Sequence, residues 1–135
     1  MYHQLEIIFR FEDRDSMLEL THNGKNCEPG SDNCYIHKQS LEFPDQLRFE
    51  MRGKDNPRID TVLDANNNIV WDRHIILQEL RIDNIKLNET YLSNWPVVHK
   101  NANNETENTN YMGFNGTIVL DFDANSLLQW YMRTA

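Results

Sequence analysis

The chain has 135 residues, 39% of them hydrophobic, with a mean hydropathy of −0.70 and a formal net charge of −8. That length supports one domain with a two-layer core that needs neither disulfide nor metal. The charge argues against a nucleic-acid partner, because the densest basic stretch (Arg48, Arg52, Lys54, Arg58) is interleaved with Glu50, Asp55 and Asp60. No run approaches the roughly 18 apolar residues of a membrane-spanning helix, so no membrane partner is expected either.

In chain order, Met1 to Phe11 shows no basic segment followed by an apolar one, so no signal peptide is expected. The Asn-x-Thr sequons at Asn88, Asn104 and Asn115 are accordingly read as unmodified. Leu5, Ile7, Phe9 and Phe11 alternate with Glu6, Ile8 and Arg10, which predicts a first strand with one buried face. Met17 to Thr21 follows as a short strand, ended by the hairpin dipeptide Asn23-Gly24. Lys25 to Asn33 reads as loop, Tyr35 to Phe43 as a strand closed by Pro44-Asp45, and Leu47 to Gly53 as the next, with Leu47, Phe49 and Met51 inward. Ile59 to Leu63 and Ile69 to Trp71 either pair across Asp64–Asn68 or form separate edge pieces.

His74 to Ile82 is predicted to be the longest strand, turning at Asp83-Asn84 into Ile85 and Leu87. Pro96 confines Tyr91 to Val98 to an edge or an irregular segment. Lys100 to Asn110 holds no apolar side chain larger than alanine and reads as a solvated loop. Thr117 to Phe122 is the final strand, and Asp123 is placed to cap a short C-terminal helix through Leu127, Leu128, Trp130 and Tyr131. Short strands separated by Asn and Gly turns predict an all-β, single-domain antiparallel β-sandwich of jelly-roll type with long polar loops.

Chemistry is concentrated in a few places. Cys27 and Cys34 bracket a six-residue turn containing Pro29-Gly30, which would bring them to bridging distance, or they stay as two thiols in a reducing compartment. Asp64, Asn66, Asn68 and Asp72 fall at positions one, three, five and nine of an acidic calcium loop, and Asp60 adds a carboxylate. Ile69 replaces that loop's turn glycine and Ile75 its bidentate glutamate, so the same residues also read as a turn whose side chains bond their own backbone. No Gly-x-Ser-x-Gly elbow or glycine-rich phosphate loop is present, and His3, His22, His37, His74 and His99 are scattered singly, which argues against an enzyme. Trp71, Tyr91, Trp95 and Tyr111 lie in or beside polar loops. Their rings could stack on the apolar face of a sugar, or plug the ends of the sandwich.

The segments Leu47–Asp55, Asp60–Asp64 and Ile69–Leu87 carry two resemblances. They are similar to small β-sandwich virion proteins of marine tailed phages, and they resemble the calcium-dependent xylan-binding modules, with Asp83-Asn84 where a glycine-containing corner is usual. The first resemblance implies a non-enzymatic structural or accessory virion protein, a capsid decoration or tail component, binding other virion proteins as an oligomer or on a lattice. Such a protein would be made in the host cytoplasm without a signal peptide. The second implies a polysaccharide ligand, with calcium held by Asp60, Asp64 and Asp72.

Overall fold

The computed structural model describes residues 2–13, 17–30, 33–55, 60–100, 105–123 and 125. Its longest strand is β1 (Tyr2–Glu12), in which Leu5, Ile7 and Phe9 are buried at alternate positions. Period-two burial of this kind is what a sheet with one covered face requires. The chain continues through β2 (Glu19–His22), β3 (Lys25–Asn26), β4 (Glu28–Pro29), β5 (Cys34–Glu42) and β6 (Asp45–Arg52). Next come β7 (Thr61–Leu63), β8 (Ile69–Asp72), β9 (His74–Ile82), β10 (Ile85–Lys86), a single-turn helix (Glu89–Leu92), β11 (Val97–Lys100), β12 (Thr106–Asn108), β13 (Tyr111–Met112) and β14 (Gly116–Phe122).

These strands form two six-stranded antiparallel sheets and one separate hairpin. The front sheet runs β10-β9-β1-β5-β4, with β13 also pairing to β9; the back sheet runs β12-β11-β14-β6-β2-β3. β7 and β8 pair only with each other. Buried side chains from both large sheets meet between them: Phe9 of β1 packs on Phe49 of β6 with ring centroids 4.9 Å apart, and Leu120 and Phe122 of β14 join the same core. Each such aromatic or leucine contributes about 1.5–3 kcal/mol on burial, so the interior alone fixes which strand faces point inward. The antiparallel β-sandwich read from the sequence is the fold. Among the described residues no helix is long and apolar enough to cross a membrane.

Two hairpins turn as their dipeptides dictate. Asn23 and Gly24 have φ of 51° and 77°, and Asp83 and Asn84 have 52° and 66°; two consecutive left-handed residues match the strand twist. Asp83 is also tied back to β1, accepting from the Gln4 backbone N–H at 2.9 Å and meeting His3 Nδ1 at 2.6 Å.

Several segments differ from their sequence reading. At 11 residues β1 exceeds the 9 of β9, since pairing to β5 extends it to Tyr2 at one end and pairing to β9 carries it to Glu12 at the other. The supposed loop Lys25 to Asn33 contains β3 and β4, each held to a longer neighbour by main-chain pairing. Tyr91 to Val98 is neither edge nor irregular throughout. Asn88 caps the short helix by accepting from Thr90 N at 2.9 Å, and β11 lies inside the back sheet between β12 and β14. Pro96 is tolerated because it precedes the strand, so its missing N–H removes no ladder bond. The polar stretch after Lys100 includes β12, an edge strand with all three residues exposed. The C-terminal helix through Leu127, Leu128, Trp130 and Tyr131 lies outside the described residues.

Cys27 and Cys34 are not bridged. Cys27 is buried in the core, where desolvation pushes its thiol up to about 11, whereas Cys34 sits on β5 opposite Arg10 with its Sγ 4.0 Å from Gln78 Oε1. The two side chains serve different surroundings, so the intervening turn does not bring them together.

The outer edge of β9 is finished in an unusual way. β13 pairs with Ile75 and Ile76 and β10 with Arg81 and Ile82. Between them Asn110 takes the place of a strand: Leu77 N donates to its carbonyl and its side-chain amide donates to Leu77 O, both at 2.9 Å. Leu87 N completes the edge by donating to Leu80 O at 3.0 Å.

Candidate functional site

The β7–β8 hairpin organises the chemistry. Thr61 pairs with Asp72 and Val62 with Trp71, and a bulge follows before Leu63 meets Ile69. Asp64 closes the turn by accepting from Asn66 N at 2.8 Å and Asn68 N at 2.9 Å, and Asn67 takes a φ of 63°. Those backbone donors, Asn68 first, hold the exposed Asp64 carboxyl below the usual range. It is a side chain bonding its own turn.

Asp60 and Asp72 have other partners. Asp60 is buried and accepts from Arg73 Nε at 2.9 Å, while Arg73 Nη1 donates to Asp13. Asp13 in turn accepts from the backbone of Met17 and Leu18, so one guanidinium, 1% exposed, joins the hairpin base to the approach to β2. Asp72 receives Lys54 Nζ at 2.6 Å and Thr61 Oγ1 at 2.7 Å on one oxygen, and the Tyr111 hydroxyl at 2.7 Å on the other. Burial pushes the Asp72 carboxyl up, but the bonds from Lys54, Tyr111 and Thr61 outweigh it and leave the group below the usual range. The same contact and desolvation push the Tyr111 phenol up, so it stays a donor.

The calcium set is therefore not assembled. Asp60 is paired with Arg73, Asp72 with Lys54, and Asp64 with the backbone N–H groups of Asn66 and Asn68. Among the described residues no three His, Cys, Asp or Glu side chains are grouped to hold a metal ion. A hard cation needs several converging oxygens, and here internal cations already occupy two of the carboxylates. We expect the thermal midpoint of the purified chain to be the same in excess calcium and in excess chelator. A rise of several degrees with calcium would show that the ion displaces Lys54 or Arg73.

The aromatic candidates divide into two pairs. Tyr91 and Trp95 stack on each other at 6.1 Å, and Trp95 meets Phe122 edge-on at 5.2 Å; both pack against the core and close one end of the sandwich. Trp71 and Tyr111 instead flank Asp72. Trp71, together with the exposed Ile69 and Val70, faces Arg10, Glu12 and His74 across an open groove of about 510 Å³. The Trp71 ring also lies 5.4 Å from the Arg73 guanidinium, which fixes it from behind. His74 stacks on Tyr111 at 4.6 Å and donates from Nδ1 to the Asp72 carbonyl at 2.8 Å, so its ring is held firmly in the groove wall. Phe114, 48% exposed, lies beside the cluster beneath Lys54 and Lys100.

Lys54, His74, Arg10 and Glu12 were not singled out by the sequence. His74 lies two residues beyond Asp72, with Arg73 between; Arg10 and Glu12 reach the groove through the pairing of β1 with β9, and Lys54 reaches Asp72 from the segment after β6.

No family model matches this sequence, and no curated protein matches it. Two solved structures align with it over most of its length. One is vCBM60 in complex with galactobiose, with a TM-score of 0.45 and 13% identity, covering 87% of this chain and 97% of that one. The other is a selenomethionine form of vCBM60, from work on circular permutation linking two families of calcium-dependent carbohydrate binding modules. It aligns with a TM-score of 0.44 and 12% identity, covering 88% and 90%.

Proposed function

We propose that the chain is a non-catalytic carbohydrate-binding domain whose ligand lies in the groove between Trp71 and His74. The observation that supports this reading is one solvent-open groove whose lining mixes apolar side chains (Ile69, Val70, Trp71, Ile76) with polar ones (Arg10, Glu12, Asp72, His74). A sugar ring presents the same two characters, apolar C–H faces and a rim of hydroxyls, and a shallow groove admits a chain that continues past both ends. Arg10 and Glu12 are paired at 3.2 Å and so are pre-set as a donor and an acceptor. The Asp72 carboxyl is held ionised by Lys54, Tyr111 and Thr61, so it is not a general acid at neutral pH.

This reading takes precedence over attachment to a virion. The outermost strand of the back sheet, β12, exposes Thr106, Glu107 and Asn108, charge and amides where a stable lattice contact would bury apolar side chains.

Affinity electrophoresis against a panel of soluble plant, algal and bacterial polysaccharides tests it, followed by calorimetry on oligosaccharides of whichever is retained. Trp71→Ala should weaken binding about tenfold, while Phe114→Ala, outside the groove, should leave it unchanged. Retention of no polysaccharide, retention indifferent to Trp71, or cleavage of the polymer would each reject the proposal.

A further inference from the structure

A second opening, sharing no lining residue with the groove at Trp71, lies where the edge strands β3 and β4 of the two large sheets come together. His22 of β2, in the back sheet, and His37 of β5, in the front sheet, meet there with ring centroids 4.7 Å apart. Both rings also rest on Phe49, at 4.7 and 5.1 Å, so the pair bridges the layers directly above the core. Each imidazole is held by the protein: His22 Nδ1 lies 2.9 Å from Arg48 O, and His37 Nε2 lies 2.7 Å from Gln39 Oε1. The rings are thus fixed walls.

In front of them is a cavity of about 540 Å³, a size that accommodates a small organic molecule. Its floor is apolar, formed by Ile36 and the buried Cys27, and Gly30 keeps it open, since a Cβ there would come 2.9 Å from Ile36 Cδ1. Lys25, Asn26 and Lys38 complete the lining, and among the described residues no carboxylate does. Lys38, well exposed to solvent, lies 3.8 Å from Glu6. In a chain of net charge −8, two ammonium groups beside an apolar hollow are a local excess of positive charge.

We propose that this opening binds a small amphipathic anion, a carboxylate carried on a short apolar chain. The carboxylate sits between Lys25 and Lys38, and the chain lies on Ile36, Cys27 and the imidazole faces. The site is separate from the groove at Trp71, so each can fail without the other.

The probe is decanoate, added to the intact chain below its micellar concentration and followed by NMR, with decan-1-ol as the neutral comparison. Decanoate should shift the Ile36 methyl and the His22 and His37 ring signals saturably, and should bind more tightly than the alcohol. Lys25→Gln with Lys38→Gln, both at exposed positions, should weaken decanoate about tenfold and leave the alcohol unaffected. Equal binding of acid and alcohol, shifts that avoid Ile36 and the two histidines, or decanoate binding indifferent to both lysines would overturn the proposal.

Discussion

Replacing Arg73 by methionine should lower the unfolding free energy by about 3–5 kcal/mol, measured by urea denaturation with tryptophan fluorescence. The guanidinium is 1% exposed, and the carboxylates of Asp60 and Asp13 that it bridges are each 2% exposed. Removing it leaves two acidic groups in a region water does not reach, and a buried charge stripped of its counter-ion costs far more than an exposed one. The loss is not simply the worth of the ion pairs. Changing all three together, Arg73→Met with Asp60→Leu and Asp13→Asn, should recover much of the stability, because charge and counter-charge then vanish as a set. A single-variant loss below about 1 kcal/mol would show that solvent reaches the cluster. On the proposed carbohydrate-binding reading, polysaccharide retention should fall in the Arg73 variant as well, since the Trp71 ring loses the cation packed on it.

The second large effect is expected at Gly53. Its φ is +105°, a conformation L side chains rarely adopt, and a Cβ there would fall 1.9 Å from the Met17 carbonyl oxygen. Strain and backbone collision act together, so Gly53→Ala should cost about 3 kcal/mol or more, or abolish folding. Gly24 separates the two causes. It is also left-handed, at φ +77°, but a Cβ there meets nothing within 4 Å, so Gly24→Ala should cost only about 1 kcal/mol. Equal losses at the two positions would mean that the crowding around Met17 relaxes freely. Gly53 also directs the chain so that Lys54 reaches Asp72 and the Gly113 carbonyl, and a surviving Gly53 variant should show altered groove chemistry.

The fold was legible where burial alternates locally. Leu47, Phe49 and Met51, or Leu5, Ile7 and Phe9, declare a strand and its inward face within five residues, and Asn23-Gly24 and Asp83-Asn84 declare their turns in two. What escaped was non-local or polar. Asp60 read as a candidate cation ligand, and nothing local marks Arg73 and Asp13 as its companions until the hairpin base and the β2 approach are folded together. β12 carries no apolar residue and exists because β11 offers it main-chain partners. Asn88, a sound helix cap followed by Glu89 and Thr90, was visible but overshadowed by Pro96 downstream. At the groove, Trp71 was recognisable by type, whereas its partners Arg10 and Glu12 come from a strand some sixty positions earlier. The acidic turn left two readings open because Asp-x-Asn-x-Asn spacing serves a self-bonded turn as well as it serves a cation, and the turn bonds at Asp64 appear only in the folded hairpin.

The way β9 ends has a bearing on how the molecule behaves at high concentration. A bare outer strand is a template on which a foreign chain can grow in register, the first step toward fibrils and swapped assemblies. Here Asn110 fills the gap between two brief strands with its own amide, so an incoming peptide would find no continuous row of donors and acceptors. Along the β9 edge, β13, Asn110, Leu87 and β10 together leave little for a foreign strand to pair with.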